Sequence, residues 1–211
     1  KYLLFETNSF SKSIKMNNVS FRYSENDNYV IENSDFEVLK NSVTGIYGQS
    51  GSGKSTLVDI LLSLLSPSSG NMEIDGKKLD NGRKIFNLFS YVPQKLYILD
   101  DTIYNNIILG EENRSVDINQ ILKDCLLDEY IENLPNKINT LAGEKGARIS
   151  GGQIQRIAIA RALYANKDIL VLDEATSALD INTEKKLYSL LKERELSLIS
   201  VGHRPSLKDF H

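Results

Sequence analysis

Apolar residues are not spread evenly along the chain. Val43-Thr44-Gly45-Ile46-Tyr47 and Ile169-Leu170-Val171-Leu172 are short apolar runs, and each reads as a buried strand. Ile14 to Tyr23 and Tyr29 to Lys40 read as strands separated by the polar turn Ser24–Asn28, so two or three antiparallel strands precede residue 48. Leu57, Val58, Ile60, Leu61, Leu62, Leu64 and Leu65 leave almost no polar face, which predicts a buried helix running to about Leu65. Ser66-Pro67-Ser68-Ser69-Gly70 ends it. Asn71 to Gly76 then reads as a strand and turn, and Leu88 to Val92 as a strand closed by Pro93. Helical patterns cover Thr102–Leu109, Asp117–Leu127 and Asp128–Leu134, and Gly151–Tyr164 is the longest. Asn182–Glu195 is a charged amphipathic helix, and Leu196–Val201 is a last strand. Strands alternating with helices predict an α/β fold with a mainly parallel sheet.

Composition narrows the class without choosing a function. The chain has 211 residues, 41% hydrophobic and 25% charged, as a globular protein should. Its net charge of −3 supplies no basic field for nucleic acid. No apolar run approaches the ~20 residues of a spanning helix, and no signal peptide pattern opens the chain. Cys125 is the single cysteine, reads as a small apolar residue in a helix, and suits a reducing compartment. The chain opens at Lys1, and its first methionine is Met16. The expectation is a piece of a longer polypeptide, with residues 1–13 as a linker.

The chemistry begins at Gly48-Gln49-Ser50-Gly51-Ser52-Gly53-Lys54-Ser55-Thr56, which fits the pattern G-x-x-x-x-G-K-[ST]. The motif lies between a predicted strand and a predicted helix, the setting it needs. Its glycines let successive N–H groups turn into one hollow, and the helix N-terminus adds partial positive charge. Lys54 brings a full charge to phosphates, and Ser55 a hydroxyl for Mg²⁺. Asp173 and Glu174 close an apolar strand, at the sheet end where α/β folds bind ligands. Asp173 is a candidate Mg²⁺ ligand and Glu174 a candidate for polarising a water. Ser150 is a good N-cap ahead of Gly151, Gly152 and Gln153, and that helix start could form a second phosphate-binding edge.

Taken together, these segments resemble the ATP-binding domain of an ABC transporter, over roughly residues 14–205. Ser150-Gly151-Gly152-Gln153 matches the signature, with Ile149 where leucine is usual. Asp173-Glu174-Ala175-Thr176-Ser177-Ala178-Leu179-Asp180 matches the Walker B and D-loop stretch. Tyr91-Val92-Pro93-Gln94 matches the Q-loop, Gly202-His203-Arg204 the switch histidine, and Phe21-Arg22-Tyr23 the aromatic loop. Six such motifs in the family's order make the match specific.

The resemblance implies a phosphate-loop core at about 14–94 and 166–211, with an N-terminal antiparallel β subdomain and a helical subdomain at about 95–165. It implies ATP and Mg²⁺ as cofactors. Tyr23 would stack on adenine and Val30 line the ribose side. Lys54 would act on the transferring phosphate, Ser55, Gln94 and Asp173 on the metal, Glu174 on the water and His203 on the γ-phosphate. Ser150, Gly151, Gly152 and Gln153 would act on ATP held by a second copy, with Asp180 crossing the dimer interface. The implied partners are that second copy and a membrane domain fused ahead of Lys1, at the cytoplasmic face of a membrane. Gly143-Glu144-Lys145-Gly146 and Leu99 to Ile107 resemble exporter patterns and favour export or lipid flipping. Leu96, Tyr97, Ile98 and Leu99 form a candidate apolar surface for the membrane domain. The alternative is a soluble ABC-type ATPase acting on nucleic acid or ribosomes.

Overall fold

Strand β1 (Ser13–Phe21) pairs antiparallel with β2 (Ile31–Leu39) on one side and with β4 (Ser69–Ile74) on the other. β4 turns back into the short β5 (Lys77–Lys78), giving the order β2-β1-β4-β5. A second sheet is parallel throughout. It consists of β3 (Val43–Tyr47), β6 (Phe89–Val92), β7 (Ile169–Asp173) and β8 (Ser197–Gly202) in the order β3-β8-β7-β6. The computed structural model describes residues 9–79, 85–110, 115–143, 146 and 149–202. The helices are α1 (Lys54–Leu61), α2 (Ile103–Ile108), α3 (Ile118–Asp124), α4 (Asp128–Glu132), α5 (Gly151–Tyr164) and α6 (Ile181–Lys192). Among the described residues no helix is long and apolar enough to cross a membrane.

The unbroken apolar run of β7 has a simple cause. Side chains alternate across a strand, and both faces of this sheet are covered. Leu170 and Leu172 join a cluster with Ile157, Leu187 and Leu191 from α5 and α6. Ile169 and Val171 join the other cluster, with Val58 and Ile60 of α1 and Ile14 and Met16 of β1. β8 divides in the same way, with Leu198 on the first side and Ile199 and Val201 on the second. Each such aliphatic side chain contributes about 1.5–3 kcal/mol by leaving water.

Two expectations need correction. The helix after the phosphate loop ends at Leu61, not near Leu65. Ser63 adopts a left-handed φ of 57°, and the Leu64 and Leu65 N–H groups both donate to the Asp59 carbonyl. That closure satisfies an end-of-helix carbonyl and turns the chain toward β4, leaving Leu64 64% exposed. Two antiparallel strands, β1 and β2, precede β3 and the loop, within the two or three expected. Their third partner, β4, follows α1, an order that local pattern does not reveal. Ile98 is buried, so the apolar surface expected over residues 96–99 loses its central member while Tyr97 and Leu99 stay exposed. Cys125 is fully buried just past α3, and burial pushes its thiol well up.

Residues 9–13 are tied to the domain. The Phe10 N–H and the Lys40 ammonium both donate to Asp168 Oδ2, and that ammonium also lies over the Phe10 ring. Asp75 accepts from the N–H groups of Ser11, Lys12 and Ser13 and from the Ser11 hydroxyl.

β1 breaks register with both neighbours around Asn18, whose φ is +49°. The Asn18 N–H, out of the ladder, donates to Asp35 Oδ1 at 2.7 Å. Gly70 passes so close that an added Cβ would sit 2.4 Å from the Asn18 carbonyl oxygen, at a φ of +86°. Gly70→Ala should therefore destabilise the domain by about 1–3 kcal/mol. Urea unfolding should show a lower midpoint with the slope unchanged.

Candidate nucleotide site

β3 runs out of the sheet into residues 48–53, and α1 begins at Lys54. Gly53 caps α1 at a left-handed φ of 87°, and an added Cβ would lie 3.1 Å from the Val30 carbonyl oxygen. Only glycine fits both the angle and the approach. Val30 thereby packs against the loop. An open cavity of about 380 Å³ sits over it, walled on the loop side by Ser50, Gly51, Gly53, Lys54, Ser55 and Thr56. Tyr23 and Val30 line its second wall, and Gln94 and Glu174 its third. Gly48, Gln49 and Ser52 complete the loop, and the Lys54 ammonium bonds to the Gly48 and Gln49 carbonyls at 3.0 and 2.8 Å.

Tyr23 is 64% exposed, with its ring edge-on to Phe21 at 5.0 Å. Its hydroxyl lies 3.0 Å from Thr56 Oγ1, a contact that fixes the ring at the cavity rim. The sequence named both residues but not this bond.

The acidic wall comes from β7. Asp173 is buried, and the Tyr91 hydroxyl donates to its Oδ2 at 2.9 Å. Tyr91 stands opposite Val171 in the β6–β7 ladder, two residues before Asp173, so its long ring reaches the strand end. A tyrosine on the strand beside an acidic strand end was the available signal. Burial holds the Asp173 carboxyl above its ordinary range; the Tyr91 bond opposes this, Glu174 adds to it and Lys54 opposes it. Asp59 of α1 is raised in the same way, by burial and then by Asp173. Sequence reading missed Asp59 altogether. Glu174 takes a left-handed φ of 51°. Its N–H donates to the Val201 carbonyl, and its Oε2 accepts from Gln94 Nε2 at 2.6 Å.

These donors suit Mg²⁺. Among the described residues no cluster of three or more His, Cys, Asp or Glu forms a complete metal cage. Mg²⁺ characteristically takes one or two protein oxygens and completes its shell with phosphates and water. The Ser55 hydroxyl and a carboxylate beset by like charge fit that role.

The remaining predicted residues lie elsewhere. Ser150 caps α5 in a reciprocal box: the Gln153 N–H donates to Ser150 Oγ at 3.3 Å, and the Ser150 N–H to Gln153 Oε1 at 2.8 Å. Gly151 and Gly152 lie against Ala178 and Leu179. Asp180 caps α6, accepting from the Asn182 and Thr183 N–H groups and the Thr183 hydroxyl, and the hydroxyl bond leads the effects holding its carboxyl low. None of Ser150, Gly151, Gly152, Gln153 and Asp180 lines the cavity. His203, Glu144 and Lys145 lie outside the described residues.

The sequence pattern of the ABC transporter family matches residues 31–177. The chain belongs to the ABC transporter family. It is 42% identical over 200 residues to a Rickettsia typhi protein that is, by name, an export ATP-binding/permease protein, covering 92% of this chain and 35% of that one. It is 35% identical over 207 residues to an ATP-dependent lipid A-core flippase of Aliivibrio fischeri, covering 95% of this chain and 36% of that one. A solved bacterial Atm1-family ABC exporter with ATP bound superposes with a TM-score of 0.84 at 33% identity, over 96% of this chain and 37% of that one. The chain thus spans about a third of the length of these relatives, and it corresponds to the ATP-binding domain of this family.

The raised Asp173 carboxyl has a testable sign. Below the unfolded-state value the carboxyl is protonated in both states and costs nothing. As pH rises through its higher folded-state value, the folded state must carry a buried charge and loses stability. Without Mg²⁺, Asp173→Asn should melt higher than wild type at neutral pH, and the advantage should shrink at acid pH. Thermal melts across that range check it.

Proposed function

We propose that this chain is the ATP-hydrolysing motor domain of a membrane transporter that exports or flips its substrate. One observation carries the reading: the phosphate loop, Gln94 and Glu174 wall a single cavity, with Asp173 behind it. A carboxylate on the open side of a phosphate cradle is the arrangement that hydrolysis needs. The relatives' names point to export and lipid A flipping and give no support to a role on nucleic acid or ribosomes.

Each residue then has a task. Tyr23 stacks on adenine and Val30 bounds the ribose side. The N–H groups of residues 48–53 and the α1 N-terminus hold the phosphates, with Thr56 behind them. The Lys54 ammonium exchanges its carbonyl partners for the β- and γ-phosphates. Mg²⁺, when bound between Ser55, Gln94 and Asp173, would neutralise phosphate charge. Glu174 takes a proton from the attacking water, and Gln94 holds that carboxylate in position. His203 contacts the γ-phosphate. The edge formed by Ser150, Gly151, Gly152 and Gln153 serves ATP on a second copy, with Asp180 beside it, so two sites lie across a two-fold axis. The membrane domain precedes Lys1, the ATPase domain includes residues from Phe10 onward, and it works at the cytoplasmic face.

That membrane domain has a place to dock. A second cavity of about 680 Å³ lies between β6 and the helices, lined by Phe89, Tyr91, Leu96, Tyr97, Leu109 and Arg161. Tyr97 at its edge is 76% exposed, and Leu99 and Leu141 are exposed as well. In the full-length protein, Tyr97→Cys should cross-link to cysteines placed in cytoplasmic loops of the membrane domain. Cross-links confined to the ATPase domain would remove this assignment.

Glu174→Gln should lower hydrolysis roughly 10²–10⁴-fold while ATP still binds, because general-base catalysis supplies about that much. The trapped protein should elute as a dimer with Mg-ATP and as a monomer with ADP. Ser150→Arg in the same background should prevent the dimer. Lys54→Ala should abolish turnover and weaken binding, and near-normal turnover there would refute the site.

A further inference from the structure

Glu184 lies in the first turn of α6 and is only 1% exposed. Carboxyl groups are seldom buried so completely, because leaving water is costly unless the group is bound in place. Its Oε1 accepts from the Thr176 hydroxyl at 2.5 Å. Thr176 is itself buried and stands two residues after Glu174. Tyr188, one helical turn beyond Glu184, lies on the same face of α6 and places its hydroxyl 2.7 Å from Ser200 Oγ. Ser200 belongs to β8, between Gly45 of β3 and Leu172 of β7. Tyr47, the last residue of β3 before the phosphate loop, feels the same group. Its hydroxyl is pushed up to about 12, mainly by burial, then by Tyr188 and Glu184. A buried polar cluster thus lies under three strand ends, those of β3, β7 and β8.

The position of this cluster matters because of the backbone above it. Glu174 is held in a left-handed conformation that glutamate does not favour, and such strain persists only where the surroundings enforce it. The Glu174 N–H is tied to Val201, and its carbonyl accepts from the Ser177 N–H at 3.2 Å. The Thr176 side chain ties this turn to α6. We infer that Glu184 is a positioning residue for ATP hydrolysis: by holding Thr176 it fixes the turn that aims Glu174 into the cavity. The inference rests on the hydrolysis proposed above. It explains a carboxyl at a helix position where leucine would bury more cheaply.

The test compares Thr176→Val with Thr176→Ser in the full-length protein. Valine keeps the shape and loses the hydroxyl, and serine keeps the hydroxyl. Thr176→Val should lower kcat by about tenfold to a hundredfold, as a small misplacement of a reacting group does, with KM for ATP unchanged. Thr176→Ser should recover most of the rate. Glu184→Ala should match Thr176→Val, and the double variant should be no slower than either, because both remove one bond. Glu184→Gln, which keeps an acceptor oxygen, should stay close to wild type. If Glu184→Ala does not fold, the two Thr176 variants decide alone. Wild-type kcat in Thr176→Val, or a rise in KM that accounts for the whole loss, overturns the inference while the hydrolysis reading stands. A wild-type protein that does not hydrolyse ATP overturns both.

Discussion

Parallel pairing of β3, β8, β7 and β6 is the constraint on which the site depends. All four strands run the same way, so their C-terminal ends emerge along one edge. The register brings Tyr47 opposite Gly202, Asp173 opposite Val201 and Val92 opposite Leu172. One residue beyond those pairs begin the phosphate loop, Glu174 and the run to Gln94. Chain positions 48, 94 and 174 meet because a hydrophobic sandwich aligns the strands beneath them. The cohesion is apolar and lies on both faces of the sheet, and the chemistry is polar and confined to its edge. A one-residue slip of β7 would turn Leu170 and Leu172 to the wrong layer and move Asp173 with them.

What that edge collects is unbalanced charge. Burial and then Asp173 raise the Asp59 carboxyl, burial and Glu174 raise that of Asp173, and Lys54 opposes the shift of Asp173. Burial makes this more costly, since charges in a poorly solvated place act strongly. The arrangement is poor for the stability of the bare domain and suited to binding a magnesium–nucleotide complex. The left-handed backbone of Glu174, worth ~1–3 kcal/mol of strain, belongs to the same pattern of local cost at a site of function.

Motifs carried by contiguous residues were legible in the sequence, and contacts across the fold were not. Gly48–Thr56 announced itself because loop and helix are consecutive, and α5 was read with its bounds because Ser150 caps it and the apolar period fills it. α1 was read four residues too long because apolar residues continue past it, while its end is set by the left-handed turn at Ser63. Ile98 was read as surface because nothing local distinguishes it from Tyr97, and burial depends on what packs above. The bonds from Tyr91 to Asp173 and from Gln94 to Glu174 join residues about 80 positions apart, so only the strand order could reveal them. Residues 9–13 read as part of a linker because most of them are polar, yet Phe10 joins the core and Asp75 holds the N–H groups of residues 11–13.

The cavity of one chain holds only part of what the proposed reaction uses. The Ser150 edge does not line it, and the Gln153 side chain is engaged in capping its own helix. That edge is nonetheless bound firmly to the catalytic turn of its own chain. Gln155, buried one turn into α5, donates to Ser177 Oγ at 3.0 Å and accepts from the Ala178 N–H at 2.9 Å. Gly152 brings α5 close enough to touch Leu179. Two hydrogen bonds and a close approach therefore tie the start of α5 to the turn after Glu174. In the proposed two-fold pair, these contacts join the edge that would serve the partner's nucleotide to the turn that follows Glu174 of the same chain. In that arrangement a phosphate contact at one site would bear on the position of Glu174 at the other through a packed connection of a few residues.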